Sequence, residues 1–167
     1  MLNPIDTAAV IRDGGAVGDY PDRIHEGVGW WLGACLVVTA KTSCLAVAHD
    51  EHPVSAAFAS RLCQGAINAQ HYACTVRFLG RHSEKELLAA ASSFGAPAAW
   101  VSTTAADGAD TVRIRLYTQH GVLLDEDSGL AAIRDLIDHD RVPIPVNDGA
   151  KGTVVPYPSE TTQGAHP

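Results

Sequence analysis

The sequence predicts a single three-layer α/β/α domain built on a mixed sheet. Three observations predict this fold class: short apolar runs alternate with segments of helical length, the last two strand candidates are joined by a short polar stretch typical of a hairpin, and the composition, 46% hydrophobic and 19% charged, is that of a globular protein. A chain of 167 residues has room for one such domain. We assign the domain to residues 1–140 and a flexible Pro/Gly-rich tail to residues 141–167.

The first half of the chain predicts two helices and one strand. Glu26–Val38 is a continuous apolar segment that suits a buried helix, and the short apolar run Cys44–Ala48 predicts a buried strand. Val54–Asn68 places its large apolar side chains on one helical stripe, and Pro53 is well placed at the start of that helix. A polar loop therefore leads directly from the strand into the second helix.

The middle of the chain predicts a second strand and a third helix. Cys74–Leu79 alternates between apolar and polar residues like a half-buried strand. Ser83–Phe94 predicts a helix, because Ser83 and Glu86 have the spacing of a capping box and Gly95 is typical of a helix end.

The last third of the chain predicts a hairpin and a final helix. Pro97–Ser102 and Val112–Tyr117 are strand candidates, and the small polar stretch Thr103–Asp110 between them predicts a loop. Ser128–Asp138 predicts the last helix. Residues 141–167 show neither helical nor strand periodicity, so we expect no packed element there.

The charge balance and the apolar runs exclude some partners. The formal net charge is −7 and the pI is about 5.5, so the phosphate backbone of a nucleic acid is repelled. The first residues lack the pattern of a signal peptide, and no apolar run is long enough to span a membrane. We therefore expect a cytoplasmic protein without a nucleic-acid or membrane partner. Cys35, Cys44, Cys63 and Cys74 form no CxxC pair, so we interpret them as reduced, buried core residues.

Four segments carry short motifs in a fixed order. Ile11–Gly18 (IRDGGAVG) places an arginine before glycines, which let backbone N–H groups approach an oxyanion. Ala48–Ser55 (AHDEHPVS) links the first predicted strand to its helix. Leu79–Ser83 (LGRHS) precedes an alanine-rich helix, and Trp100–Arg115 (WVSTTAADGADTVRIR) contains the predicted hairpin.

This ordered set resembles the first domain of the α-D-phosphohexomutases, the phosphomannomutase/phosphoglucomutase family, over about residues 9–138. The four segments stand where that family has its "IRG…vG", "GRDxRxSS", "lG..sTP" and "vTASHNP…NG.K" motifs. Asp50 and Ser55 match the second motif, whereas His49 and His52 replace both of its arginines. The resemblance implies the family's α/β fold and a site built from these loops.

The resemblance also implies individual roles. The family's phosphorylated serine falls on Thr104, which is therefore the candidate catalytic position. Arg12 is the candidate for phosphate binding in the opening loop, and Arg113 and Arg115 replace the family's lysine on one face of a strand. The remaining candidates lie in the site loops: His49, Asp50, His52, Ser55, Ser102 and Thr103.

Two departures from the family pattern argue against its activity. Ala105 and Ala106 replace a histidine and an asparagine, and alanine has no polar atom that could move a proton or orient a phosphate. The sequence also lacks the "DGDGDR" loop with which the family's second domain helps to hold Mg²⁺. We therefore expect a stand-alone degenerate domain without mutase activity, acting as a protein-interaction or residual sugar-phosphate-binding module. No cofactor is expected, and Mg²⁺ only if activity is retained.

Two alternatives remain open. The first is a split or minimal phosphotransferase of the phosphomannomutase/phosphoglucomutase type, acting on hexose phosphates. The second is a metal-binding protein that uses the HDEH cluster from His49 to His52, although histidines in such a loop more often cap a helix. A stand-alone domain of this type exposes the surface that faces the other domains in the larger enzymes. We therefore expect a homodimer or a heteromer with another enzyme.

Overall fold

The computed structural model describes residues 5–69, 73–106, 108–142 and 152–156. The strands are β1 Gly15–Tyr20, β2 Cys44–His49, β3 Thr75–Arg81, β4 Ala98–Ala106, β5 Ala109–Tyr117 and β6 Thr153–Pro156. The helices are α1 Thr7–Val10, α2 Glu26–Ala40, α3 Pro53–Ile67, α4 Glu84–Phe94 and α5 Ala131–Asp138.

Within these ranges the strands form one mixed sheet in the order β1-β5-β4-β2-β3-β6. β1, β5 and β4 pair antiparallel, whereas β4, β2, β3 and β6 pair parallel. Helices α2, α3 and α5 cover one face, which we call the α3 face, and their core includes Val47, Val101 and Ile114 of the sheet. Helix α4 covers the opposite α4 face, where Leu87 packs with Ala46. The predicted three-layer α/β/α class with a mixed sheet is confirmed.

Glycines set the distance between α2 and α3. Gly33 of α2 faces the carbonyl oxygen of Leu62, and Gly65 of α3 faces the carbonyl oxygen of Trp30. A Cβ atom at either glycine would collide with that backbone oxygen. The two helices can therefore pack this closely only because both positions lack a side chain.

Side chains satisfy the first N–H groups of the long helices. The Nδ1 atoms of His25 and His52 each accept the backbone N–H two residues further on, at 3.1 Å, and so cap α2 and α3. Helix α4 begins with a reciprocal capping box between Ser83 and Glu86, and it ends at Gly95, which has a left-handed φ of 63°. The predicted start and end signals of α4 are both confirmed.

Two carboxylates at helix starts make the stability dependent on pH. The Tyr20 hydroxyl donates to Glu26 and the Ser83 backbone N–H donates to Glu86, and each hydrogen bond lowers the pKa of its carboxyl below the ordinary value of 4.5. Their contribution to stability is therefore complete above pH 4.5 and is lost as the pH falls through the lowered pKa values. We expect thermal melts from pH 7 to pH 3 to show this loss. Glu86→Gln should weaken the decline, whereas the exposed control Glu51→Gln should leave it unchanged; equal slopes for both variants would contradict this origin.

The loop predicted at Thr103–Asp110 is wrong, although the predicted hairpin is confirmed. β4 continues to Ala106 and β5 begins at Ala109, so the cross-strand ladder runs through almost the whole polar stretch. The threonines in this stretch are β-branched and favour a strand even where no apolar pattern marks it.

Two strands were not predicted. β1 contains two glycines and β6 has four residues, so neither shows a readable alternation, and both lie at edges of the sheet. The expectation of no packed element after residue 140 is wrong at Thr153–Pro156, which pairs parallel with β3. The rest of the predicted tail, residues 143–151 and 157–167, lies outside the described residues.

The last helix begins three residues later than predicted, at Ala131 instead of Ser128. A helical turn at Glu126–Leu130 precedes it, and within that turn Gly129 has a φ of 142°, which is incompatible with a regular helix. In the described part of the chain, no helix is both long enough and apolar enough to cross a bilayer.

The four cysteines are unpaired. Cys35, Cys63 and Cys74 are buried, as predicted, and burial raises the pKa of each thiol to about 12. The prediction of a buried residue is wrong for Cys44, the first residue of β2, which is only partly buried.

Candidate functional site

The alternation of β4 separates the candidate residues of the hairpin onto two faces of the sheet. The hydroxyl of Thr103 contacts Ser55 of α3 and therefore lies on the α3 face. Thr104 is exposed and follows Thr103 directly, so its side chain points to the α4 face. The sequence predicts a loop here, and side chains of a loop do not alternate between two faces. The prediction therefore does not separate the two threonines.

Four of the predicted site-loop residues meet beyond the end of β2. Asp50 accepts the backbone N–H of Thr103 at 2.9 Å and that of His52 at 3.0 Å. The hydroxyls of Ser55 and Thr103 lie 2.6 Å apart, and Ser55 is fully buried. These bonds tie the β2–α3 loop to β4 and engage the carboxylate of Asp50 and the hydroxyls of Ser55 and Thr103.

The two histidines of the HDEH cluster are also engaged in local structure. The Nδ1 of His49 donates to the carbonyl of Asp50 at 2.6 Å, and its ring lies 5.8 Å from that of Phe78. His52 caps α3, and its Nε2 faces a carboxylate oxygen of Asp110 at 3.8 Å. In the described ranges, no group of three histidine, cysteine, aspartate or glutamate side chains could hold a metal ion. The geometry therefore favours a capping role for this cluster.

A cleft of about 810 Å³ opens at the carboxyl ends of β2 and β3. The connection after β2 runs through α3 on one face of the sheet, whereas the connection after β3 runs through α4 on the other. Such a point, where neighbouring connections leave in opposite directions, is where open α/β sheets commonly bind ligands. We call this opening the switch-point cleft; Arg81, His82 and Trp100 contribute to it.

Arg81 and His82 are not among the predicted site residues. Arg81 is the last residue of β3 and His82 follows it, just as Asp50 follows β2. The carboxyl ends of parallel strands meet at one edge of a sheet. The position of these residues at the end of a predicted strand could therefore have marked them as site candidates.

A second cavity, of about 550 Å³, lies beside the edge strand β1. It brings together two predicted phosphate-binding residues, Arg12 and Arg113, which lie about a hundred positions apart in the sequence, and adds Arg23. We call it the arginine cavity. Its other charged lining residues are Asp6, Asp19 and Asp22. Arg23 is not among the predicted site residues, because it follows β1, whose sequence shows no clear strand pattern.

The three arginines differ in how far they are already engaged. Arg12 donates to Asp13 at 2.6 Å and to the carbonyl of Ala9 at 2.9 Å. Among the described residues, Arg23 and Arg113 form no ion pair. In the described structure, two guanidinium groups of the arginine cavity are therefore available to a ligand.

The third predicted arginine, Arg115, is in a different position. It shares the face of Arg113, as the strand pattern predicts, but its guanidinium pairs with Glu84 at the start of α4 at 3.2 Å. Ser102 stands opposite Arg113 in the ladder, and Thr104 stands opposite Thr111. In the described part of the chain, the hydroxyls of Ser102 and Thr104 have no hydrogen-bond partner.

Comparisons with known proteins find a similar structure but no similar sequence. No family model matches the chain, and no curated protein matches it. A solved phosphoglucomutase/phosphomannomutase family protein from Burkholderia thailandensis superposes with a TM-score of 0.70 over 96% of this chain, at 15% identity. The likeness is one of fold. The chain spans 35% of the length of that protein.

Proposed function

We propose that the chain is a phosphohexomutase-type domain that binds a phosphorylated sugar without transferring its phosphoryl group. The observation that carries the proposal is the convergence of Arg12, Arg23 and Arg113 on one cavity. Guanidinium groups bind phosphate with two parallel hydrogen bonds, and a cavity of 550 Å³ has the size of a small-molecule site.

The acidic residues of the arginine cavity favour a sugar phosphate over bare phosphate. Among its described lining residues, three aspartates balance the three arginines in formal charge. Asp19 already accepts the hydroxyl of Thr111 at 3.0 Å, which shows that a carboxylate here can hold a hydroxyl group. Arginines for the phosphate and carboxylates for the hydroxyls together match a phosphorylated sugar.

The hydroxyl groups near this cavity are poorly suited to phosphoryl transfer. Thr111 lines the cavity, but its hydroxyl proton is held by Asp19. Thr104, the family's serine position, stands next to Thr111 in the ladder and is followed by an alanine where the family has a histidine. In the described structure the hydroxyl of Thr104 has no hydrogen-bond partner that could take its proton.

Isothermal titration with glucose 1-phosphate and mannose 6-phosphate tests the binding. Arg23→Ala and Arg113→Ala should each weaken the affinity by about ten- to hundredfold, because hydrogen bonds to charged groups contribute about 1.5–3 kcal/mol. The matched control is Arg141→Ala, which removes an exposed arginine paired with Asp135 and should leave binding unchanged. Unchanged affinity in both cavity variants rules out this cavity as the site.

Incubation with glucose 1,6-bisphosphate separates binding from transfer. The intact mass of the protein should not increase by one phosphoryl group. Stoichiometric phosphothreonine at Thr104 would contradict the proposal and favour a minimal or split phosphotransferase.

A further inference from the structure

The switch-point cleft differs from the arginine cavity in its chemistry, and no described residue lines both. Its aromatic member is Trp100, whose half-buried indole lines the cleft. The indole N–H donates to the carbonyl of His82 at 3.0 Å, which fixes the plane of the ring. A fixed, partly exposed indole offers an apolar surface for the C–H face of a ring-shaped ligand.

A polar atom beside this indole lacks a partner. The Nδ1 of His82 is buried and, in the described structure, has no hydrogen-bond partner. Such an atom normally finds a protein group, a water molecule or a ligand. A hydroxyl group is a suitable partner, because it can either donate to or accept from an imidazole nitrogen.

The charges of the cleft disfavour a phosphorylated ligand. Among the described residues, Asp50, Glu51 and Glu86 line it, against the single guanidinium of Arg81. Asp50 and Glu86 are held by backbone N–H groups, whereas Glu51 and Arg81 are exposed. An acceptor and a donor of hydrogen bonds are thus available to hydroxyl groups, while a dianion would meet an excess of negative charge.

We infer that the switch-point cleft is a second binding site, which takes an uncharged sugar ring. The indole of Trp100 packs against the ring, His82 turns its buried, unpartnered Nδ1 toward one hydroxyl, and Glu51 and Arg81 bond others. The site is independent of the arginine cavity, so either site can exist without the other.

The test follows the indole N–H resonance of Trp100 by NMR, assigned with Trp100→Phe. Glucose, mannose, galactose and N-acetylglucosamine are titrated to about 50 mM, well above the millimolar dissociation constants of weak ligands. At least one should shift this resonance in a saturable manner, and the same shift should appear in Arg113→Ala, in which the arginine cavity is impaired. Glucose 6-phosphate should shift it less at equal concentration.

Variants in the cleft complete the test. Glu51→Ala changes an exposed side chain and should weaken sugar binding at least threefold without loss of folding, whereas the control Asp138→Ala on α5 should not weaken it. Trp100→Phe keeps an aromatic ring and should retain binding, observed through the backbone N–H of His82, whereas Trp100→Ala should abolish it. No saturable shift with any of the four sugars, or tighter binding of glucose 6-phosphate here, overturns the inference.

Discussion

Gly33→Leu should lower the free energy of unfolding by about 3 kcal/mol or more, at the upper end of the cost of overpacking a core. A Cβ atom at Gly33 collides with the carbonyl oxygen of Leu62, which belongs to the backbone of α3 and cannot turn aside as a side chain can. The helix propensity of leucine is nearly 1 kcal/mol more favourable than that of glycine, so propensity alone would stabilise the variant. A loss of stability must therefore come from separation of the two helices.

Gly27→Leu in the same helix provides the matched control. A Cβ atom at Gly27 meets only the imidazole of His25, at 2.8 Å, and that side chain can move. Its effect should stay within about 1 kcal/mol, the usual cost of a lost helix cap. Urea denaturation of both variants measures the difference. Equal midpoints would show that α2 and α3 do not approach as closely as described.

Asp50→Ala should destabilise the protein by about 2–3 kcal/mol, because it leaves two backbone N–H groups without their acceptor. These belong to His52 and Thr103, so the change releases both the start of α3 and the outer part of β4. Asp50→Asn retains one side-chain carbonyl and should lose about half as much, whereas Asp50→Glu moves the carboxylate by a methylene and should not restore the geometry.

Urea denaturation measures the loss, and amide hydrogen exchange locates it. Exchange at the Thr103 N–H should accelerate strongly in Asp50→Ala, while that of Ile114 at the centre of the sheet should follow only the global change. Asp138→Ala, an exposed carboxylate on α5, is the control and should alter neither. If Thr103 remains as protected as Ile114, Asp50 does not hold the loop.

The parts of the fold that were predictable from the sequence are those with a strong local signal. The apolar pattern identified β2, α3 and β3, and the capping box with Gly95 located both ends of α4. β1 and β6 lack such a signal because β1 contains two glycines, whereas β6 has four residues and ends in proline. Their positions depend on pairing with distant strands, which no local pattern records.

The candidate site, too, was predictable only where the sequence carries a local signal. The resemblance selected Arg12 and Arg113, and the structure places them in one cavity. The pairing of Arg115 with Glu84 could not be anticipated, since it depends on the packing of α4 against a strand some thirty positions away. The separation of Thr103 from Thr104 would have followed from strand alternation alone, had the strand been extended by two residues.

The two edge strands disfavour self-association through strand pairing. An unpaired strand edge invites a second chain to add its own strand, and short or glycine- and proline-containing edges suppress this. In the described part of the chain β6 has four residues and ends at Pro156, while β1 carries two glycines and has α1 packed against it. Any dimer of this domain should therefore form through a helical or sheet face and leave the hydrogen-bonding edges of the two copies apart.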